Sequence, residues 1–235
     1  MYFDPPLIDG ILLRRYKRFL ADIRLSCGTI VTAHTANTGA MTGCCTPGAR
    51  VWLSKSRNEK RKYPFTWELV ESPSGKLVGI NTQRSNHLVK EAILAGVITP
   101  LKGYQNILSE VRYGNENSRI DLMLVDHVEK KCFVEVKNVT LVEGDTAKFP
   151  DAVSVRGGKH LRELMEMVHL GHRAVLLFCV QREDARTVCP ADDIDPRYGE
   201  LLRLADRTGV EVMAYGAQLT YESIKLHRRL PVIYP

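Results

Sequence analysis

The feature that most constrains this chain is the run Cys132-Phe133-Val134-Glu135-Val136-Lys137-Asn138-Val139, a strand-like apolar stretch with two charges embedded in it. A second run, Arg119-Ile120-Asp121-Leu122-Met123-Leu124-Val125, sets Asp121 in similar surroundings. Residues two apart in a strand share a face, so Glu135 and Lys137 point together while Val134 and Val136 pack the other way. An unpaired charge in such a place is expensive, so Asp121, Glu135 and Lys137 must neutralise one another or a ligand. Two carboxylates beside a lysine suit a hard divalent cation, with the lysine next to the water or phosphate that the ion activates. A salt-bridged trio at a sheet edge accounts for the same three charges without any chemistry.

The excess positive charge is concentrated at one end. Residues 1–82 hold twelve Lys and Arg against six Asp and Glu, which is the whole net charge of +6; residues 83–235 are balanced. Its densest stretches are Arg14-Arg15-Tyr16-Lys17-Arg18-Phe19 and the segment from Lys55 to Tyr63, which carries Arg57, Lys60, Arg61 and Lys62. Cations interleaved with aromatic rings suit a polyanion: neutralised phosphates give sequence-independent affinity and rings stack on bases. A solvated basic surface that keeps the protein in solution is the plainer reading. No basic segment leads into an apolar stretch near Met1, and no apolar run approaches membrane-spanning length. The six cysteines show no C-x-x-C spacing. A soluble, cytoplasmic protein with reduced thiols and no membrane partner is therefore expected. Homo-oligomerisation is left open.

From residue 20 to about 80, short β-prone runs alternate with Gly28, Gly39, Gly43, Pro47-Gly48 and Pro73-Ser74-Gly75, which predicts a small β-barrel or sandwich. The first element, with Leu12, Tyr16, Phe19, Leu20 and Ile23, also fits helical spacing; the β-rich sequel favours one long strand. A helix is predicted from Asn86 to about Ala95, then strands at Ile107–Tyr113, Arg119–Val125 and Cys132–Thr140. Gly157-Gly158 reads as part of a loop. Leu161, Leu164, Met165 and Val168 then form an amphipathic stripe ended by Gly171. An all-apolar strand follows at Ala174–Val180. Asp195 and Pro196 open a last helix, Gly209 closes it, and Val210–Tyr215 is a further strand. The order from residue 86 predicts a mixed sheet covered by helices, an α/β architecture.

An acidic residue on a second strand and Glu-x-Lys on a third, after a leading helix, resembles the PD-(D/E)xK nuclease superfamily over roughly residues 86–180. That resemblance implies a restriction-endonuclease-like core in which Asp121 and Glu135 bind Mg2+ (or Mn2+) and Lys137 orients the attacking water and stabilises charge on the phosphorane. Glu91 on the helix matches a frequent additional carboxylate, with Glu110 on the first strand competing for that role. Pro150-Asp151 lies after Glu-x-Lys, the wrong order for the metal-binding aspartate, and Asp151 is expected to serve a turn or an N-cap. Arg156, Lys159, His160 and Arg162 surround the start of the next helix, where cations and free N–H groups grip phosphate; a surface cluster partly paired with Glu163 and Glu166 is the alternative.

Longer segments carry a closer resemblance. Arg15-Tyr16-Lys17-Arg18-Phe19-Leu20-Ala21-Asp22, Asn37-Thr38-Gly39-Ala40-Met41-Thr42-Gly43-Cys44, Thr66-Trp67-Glu68-Leu69, Phe149-Pro150-Asp151-Ala152-Val153 and Lys159-His160-Leu161-Arg162-Glu163-Leu164-Met165 are similar to the bacterial sugar fermentation stimulation protein A (SfsA) family. The resemblance implies a basic OB-like barrel over residues 1–82 and a nuclease-like α/β domain over residues 83–235. It also implies non-specific DNA binding, mainly through the phosphate backbone, and a regulatory role in sugar, chiefly maltose, metabolism. The rival expectation is an active, structure-selective nuclease acting on DNA or RNA. A helix-turn-helix has been suggested at the C-terminus of such proteins; the tail from Gln218 to Pro235 shows no pair of helices.

Overall fold

Short strands joined by tight turns roll the first third of the chain into a closed barrel. In the computed structural model, which describes residues 1–235, these strands are β1 (Ile8–Tyr16), β2 (Leu20–Leu25), β3 (Ile30–His34), β4 (Arg50–Lys55) and β5 (Phe65–Glu71). They pair in the circuit β1-β2-β3-β5-β4-β1, closed by a parallel pairing of β3 with β5, which is an OB-type barrel. Leu12, Ile23, Leu53, Trp67 and Val70 fill its interior. The first element is not one long strand. It is a hairpin whose turn places Lys17 and Arg18 at φ 50° and 64°, a conformation uncommon for residues other than glycine.

A short strand, β6 (Leu77–Gly79), leads to α1 (Ser85–Leu94) and the meander β7 (Asn106–Tyr113), β8 (Ser118–Val125) and β9 (Lys131–Val139). The segment after β9 contains β10 (Leu141–Glu143) and β11 (Thr146–Phe149) before α2 (Val155–His169) and β12 (Arg173–Val180). The chain ends with β13 (Thr187–Pro190), α3 (Pro196–Thr208), β14 (Glu211–Leu219) and β15 (Ile224–Leu230). The main sheet has the order β15-β14-β12-β9-β8-β7; β9, β12 and β14 run parallel and the outer pairs antiparallel. This is the mixed α/β sheet of a restriction-endonuclease-like core. The tail is its edge strand β15, with no helix-turn-helix. No helix is long and apolar enough to cross a membrane.

Strand alternation sorts the core into two layers. Val134, Val136, Leu122 and Leu124 pack with Leu88 and Ala92 of α1, whereas Phe133 and Met123 pack with Leu161 and Leu164 of α2 and with Leu202 of α3. Asp195 caps α3 by accepting the Tyr198 N–H at 3.0 Å, and Gly209 ends it at φ 107°. Gly157 and Gly158 are helical, inside the first turn of α2. A β-carbon at Gly157 would press on the Ser154 side chain and the Tyr198 ring, so the glycine serves packing.

Barrel and sheet share one core. Phe3, Trp52 and Leu69 belong to the cluster under α1, and Trp52 stacks on Tyr221 with ring centroids 4.7 Å apart. Residues Met1 to Phe3 lie along the main sheet and not in the barrel: Tyr2 pairs with Ser223, and Phe3 donates its N–H to the Glu222 carbonyl at 2.8 Å. Glu68, 1% exposed, takes hydrogen bonds from Ser54, Asn81 and Arg84 and so ties β5 to the approach to α1. All six cysteines are unpaired.

Candidate metal and phosphodiester site

The β8–β9 ladder ends at the Leu122–Val134 pair, and beyond it the two strands separate. Asp121 fills the gap: its Oδ2 accepts the Val136 N–H at 2.7 Å, and its Oδ1 accepts from Asn86 Nδ2 at 2.9 Å. Glu135, one residue before Val136, is 2% exposed. Its Oε1 accepts from Lys137 Nζ at 2.7 Å and meets Nδ1 of His160. Its Oε2 is buried with no partner. Arg156 Nε reaches His160 Nε2 at 3.3 Å. Because arginine can only donate, Nε2 must accept, and Nδ1–H therefore donates to Glu135.

The electrostatics follow from burial and from like charge. Burial, together with the Glu135 carboxylate, raises Asp121 from 3.8 to about 6. Burial also pushes Glu135 upward, but Lys137 and His160 outweigh it and leave the group below the usual carboxylate range. The buried Tyr113 hydroxyl is held well above its ordinary value by burial and by Glu135, Glu163 and Asp121. A carboxylate oxygen without a donor, beside a carboxyl that resists ionisation, is a site short of positive charge. These are hard oxygen donors, and Mg2+ is commonly held by one or two carboxylates plus waters. Asp121 and Glu135 thus fit a small divalent cation. No group of three or more Asp, Glu, His or Cys side chains converges anywhere in the chain, so protein ligation here is sparse.

Several expected site residues sit elsewhere. Glu91 is turned away from Asp121: its carboxylate takes the Met1 ammonium at 2.6 Å and lies 3.1 Å from His87. It lies five positions after Asn86, which at about 100° per residue puts the two side chains roughly 140° apart around the helix. Glu110 is the nearer carboxylate, 3.5 Å from Asn86 Nδ2, on a residue with φ 57°. His160 is 6% exposed and braces Glu135, so it is not free for phosphate. Lys159 is tied to the Glu116 carbonyl, and Arg162 forms an ion pair with the Glu116 carboxylate. Arg156 stays exposed at the site.

On the barrel, Lys17, Arg18, Lys60, Arg61 and Lys62 are exposed. Arg14 is paired with Asp22 at 2.8 Å and Arg57 with Asp4 at 3.0 Å. Arg15 is a structural pin, donating to the carbonyls of Arg18, Asn37 and Gly39. Asp151 does not cap α2, which Ser154 does; it accepts the Met41 N–H at 3.2 Å and so fastens a barrel loop to the nuclease-like domain. Asp151 stands out in the sequence, but as a turn or N-cap residue and not as a tie between domains; Asn86 is not singled out. For Asn86 one signal was present: it lies three and seven residues before Val89 and Ile93, the polar member of a buried stripe.

An OB barrel fused to a restriction-endonuclease-like core, with the acidic pair and lysine on its central strands, defines a two-domain nuclease-like protein. The chain matches the SfsA N-terminal OB domain over residues 13–80 and the sugar fermentation stimulation protein RE domain over residues 83–223. It belongs to the sugar fermentation stimulation protein (SfsA) family. The homolog from Geobacter metallireducens is 59% identical, covering 99% of this chain and all of its own length. One from Shewanella loihica is 55% identical over 99% of both chains. The structure of Pyrococcus furiosus SfsA in complex with Ca2+ superposes with a TM-score of 0.89 at 30% identity, covering 99% of this chain and 98% of that one.

Proposed function

We propose that the protein binds DNA through the phosphate backbone and hydrolyses phosphodiesters at Asp121, Glu135 and Lys137 with Mg2+ or Mn2+. The observation that carries this reading is the buried, unpartnered Glu135 Oε2 beside an Asp121 carboxyl raised to about 6. The Ca2+ complex of the P. furiosus relative supports a divalent site built from oxygen ligands.

A bound divalent cation would supply Lewis-acid polarisation of the phosphodiester and an activated water. The rest falls to the chain. Asp121 is held in place by Asn86 and the Val136 N–H, and Glu135 by Lys137 and His160, so both carboxylates are oriented before a ligand arrives. Lys137 presents its ammonium beside the site and stabilises charge as it develops on phosphorus. The water oxygen bonds to phosphorus, the ester P–O bond breaks, and the proton given up by the water passes to the leaving oxygen. Lys17, Arg18, Lys60, Arg61 and Lys62 grip flanking phosphates without reading sequence. Six free thiols suit a reducing cytoplasm.

A second reading is a non-specific DNA-binding factor acting in sugar (maltose) metabolism, of which the family name supports the link to sugar fermentation. The confinement of the net positive charge to residues 1–82 favours it, because it requires no catalysis. Incubation of plasmid, single-stranded and branched DNA and RNA with Mg2+ or Mn2+ separates the two. Cleavage by the parent and none by Asp121→Asn or Glu135→Gln is expected; an inert parent on every substrate leaves the binding reading alone.

A further inference from the structure

Asp121 and Lys137 lie on the floor of a cleft of about 720 Å3 between barrel and sheet. One wall is the barrel loop Ala36 to Gly39 with Arg18 of the β1–β2 turn; the other is the segment Pro150 to Ser154 with Arg156. The barrel wall is fixed. Arg15 holds the carbonyls of Asn37 and Gly39 at 3.0 Å each, Thr82 Oγ1 donates to the Ala36 carbonyl at 3.2 Å, and Asp151 clasps the Met41 N–H across the cleft. Gly39 approaches Asp151 so closely that no β-carbon would fit between them. The shared core under Trp52 and Leu69 holds the two domains together behind this loop.

The size of this space bears on what enters. About 720 Å3 falls in the range of sites that enclose one small ligand, roughly 300–1,000 Å3. A space of that volume is roughly 9 Å on a side, less than the about 12 Å of a B-form major groove alone, so it cannot enclose a duplex. A single strand presents one phosphate at a time and bends freely. The rim agrees. Val153, which lines the cleft, is 72% exposed, and two further exposed apolar residues, Val155 at 85% and Phe19 at 42%, adjoin the lining residues Arg156 and Arg18 in the chain. An aromatic ring stacks on unpaired bases, and apolar side chains wedge between them. Paired bases inside an intact duplex offer neither surface without unstacking.

We propose that this cleft takes a single polynucleotide strand, entering past Arg18 and Phe19, crossing Asp121 and Lys137, and leaving past Val153 and Arg156. A duplex would be held by the outer basic loops and admitted only where a strand is already free, at an overhang, flap or gap. The fate of the strand at Asp121 rests on the nuclease reading above; its admission does not.

Fluorescence anisotropy in EDTA, where nothing is cut, tests this with a labelled oligo(dT), a blunt duplex of equal length and the same duplex carrying a single-stranded overhang. The oligo(dT) and the overhang are expected to bind at least about tenfold more tightly than the blunt duplex, the scale of one stacked base. Thr38→Trp, on an exposed cleft-lining residue, should abolish that preference and leave duplex binding unchanged; Arg18→Glu should reduce it. Thermal melting monitored by circular dichroism verifies that both variants fold. Equal affinity for blunt duplex and single strand, or a preference that survives in both folded variants, overturns the proposal. The same oligonucleotides incubated with Mg2+ or Mn2+ separate the two readings. Preferred binding of single strands with no cleavage removes the nuclease and keeps the cleft; blunt duplex bound and cut as readily as single strands removes the cleft and keeps the nuclease.

Discussion

Asp121 Oδ2 accepts the Val136 N–H at 2.7 Å, so a side chain closes the place where two strands of the central sheet part. The carboxyl is caught there between a donor that favours its charge and a buried, anionic neighbour that opposes it. The neighbour and the burial prevail, and Asp121 titrates near 6 instead of 3.8.

That shift fixes a sign. The folded chain binds a proton at Asp121 more tightly than the unfolded chain does, so this group lowers stability as pH rises from about 4 to 6, and the penalty stays in full above that window. Asp121→Asn should therefore be more stable than the parent in EDTA at about pH 8, by roughly 2 kcal/mol or 4–8 °C in melting temperature. The gain should vanish below about pH 4. Adding Mn2+ should stabilise the parent and not the variant. Calorimetric melting across pH measures all three, and a variant less stable than the parent at pH 8 contradicts the assignment.

Lys137 should matter to turnover and little to affinity. Its ammonium lies 2.7 Å from Glu135, beside the place where phosphoryl charge would develop. Lys137→Ala should cut single-turnover cleavage by about two to three powers of ten, the scale of losing one preorganised electrostatic group, with DNA affinity changed only a few-fold. Equal turnover by the variant would remove the lysine from the chemistry.

His160 braces Glu135 from behind, and such supports of metal-binding carboxylates typically carry about 10- to 100-fold in metal affinity. Titration calorimetry with Mn2+ should show a loss on that scale for His160→Ala, while Lys159→Ala, whose lysine faces Glu116, should bind as the parent does.

Charge reversal at Lys60, Arg61 and Lys62 should flatten the dependence of DNA affinity on salt by roughly one unit of slope for each phosphate no longer neutralised. Reversal at Arg14, already paired with Asp22, should change the slope less. A slope indifferent to the loop triple variant would place DNA elsewhere on the surface.

The charged trio, the barrel and the sheet were legible because each rests on a pattern with a physical period: alternation around Glu135 and Lys137, an apolar stripe from Leu161 to Val168, and glycine and proline punctuation before residue 80. Features without such a period were hidden. The β1–β2 turn uses Lys17 and Arg18 at positive φ, where no glycine announces it, so a hairpin reads as one strand. Gly157 looks like a loop residue but is helical; a glycine stands there because Ser154 and Tyr198 leave no room for a β-carbon. Glu91 has the right chemistry on the right helix, but the phase of that helix brings Asn86 to Asp121 instead. Arg15 and His160 look like phosphate ligands by type; only the fold reveals that carbonyls and a carboxylate already occupy them.

The core that Trp52 and Leu69 share with the main sheet, flanked at the surface by the stack of Trp52 on Tyr221, makes the barrel a fixed jaw and not a swinging arm. A strand gripped by such a jaw is measured as by a caliper. On a strand leaving a duplex held by the outer basic loops, a cut would fall at a constant number of nucleotides from the junction, giving one product length there in place of a smear.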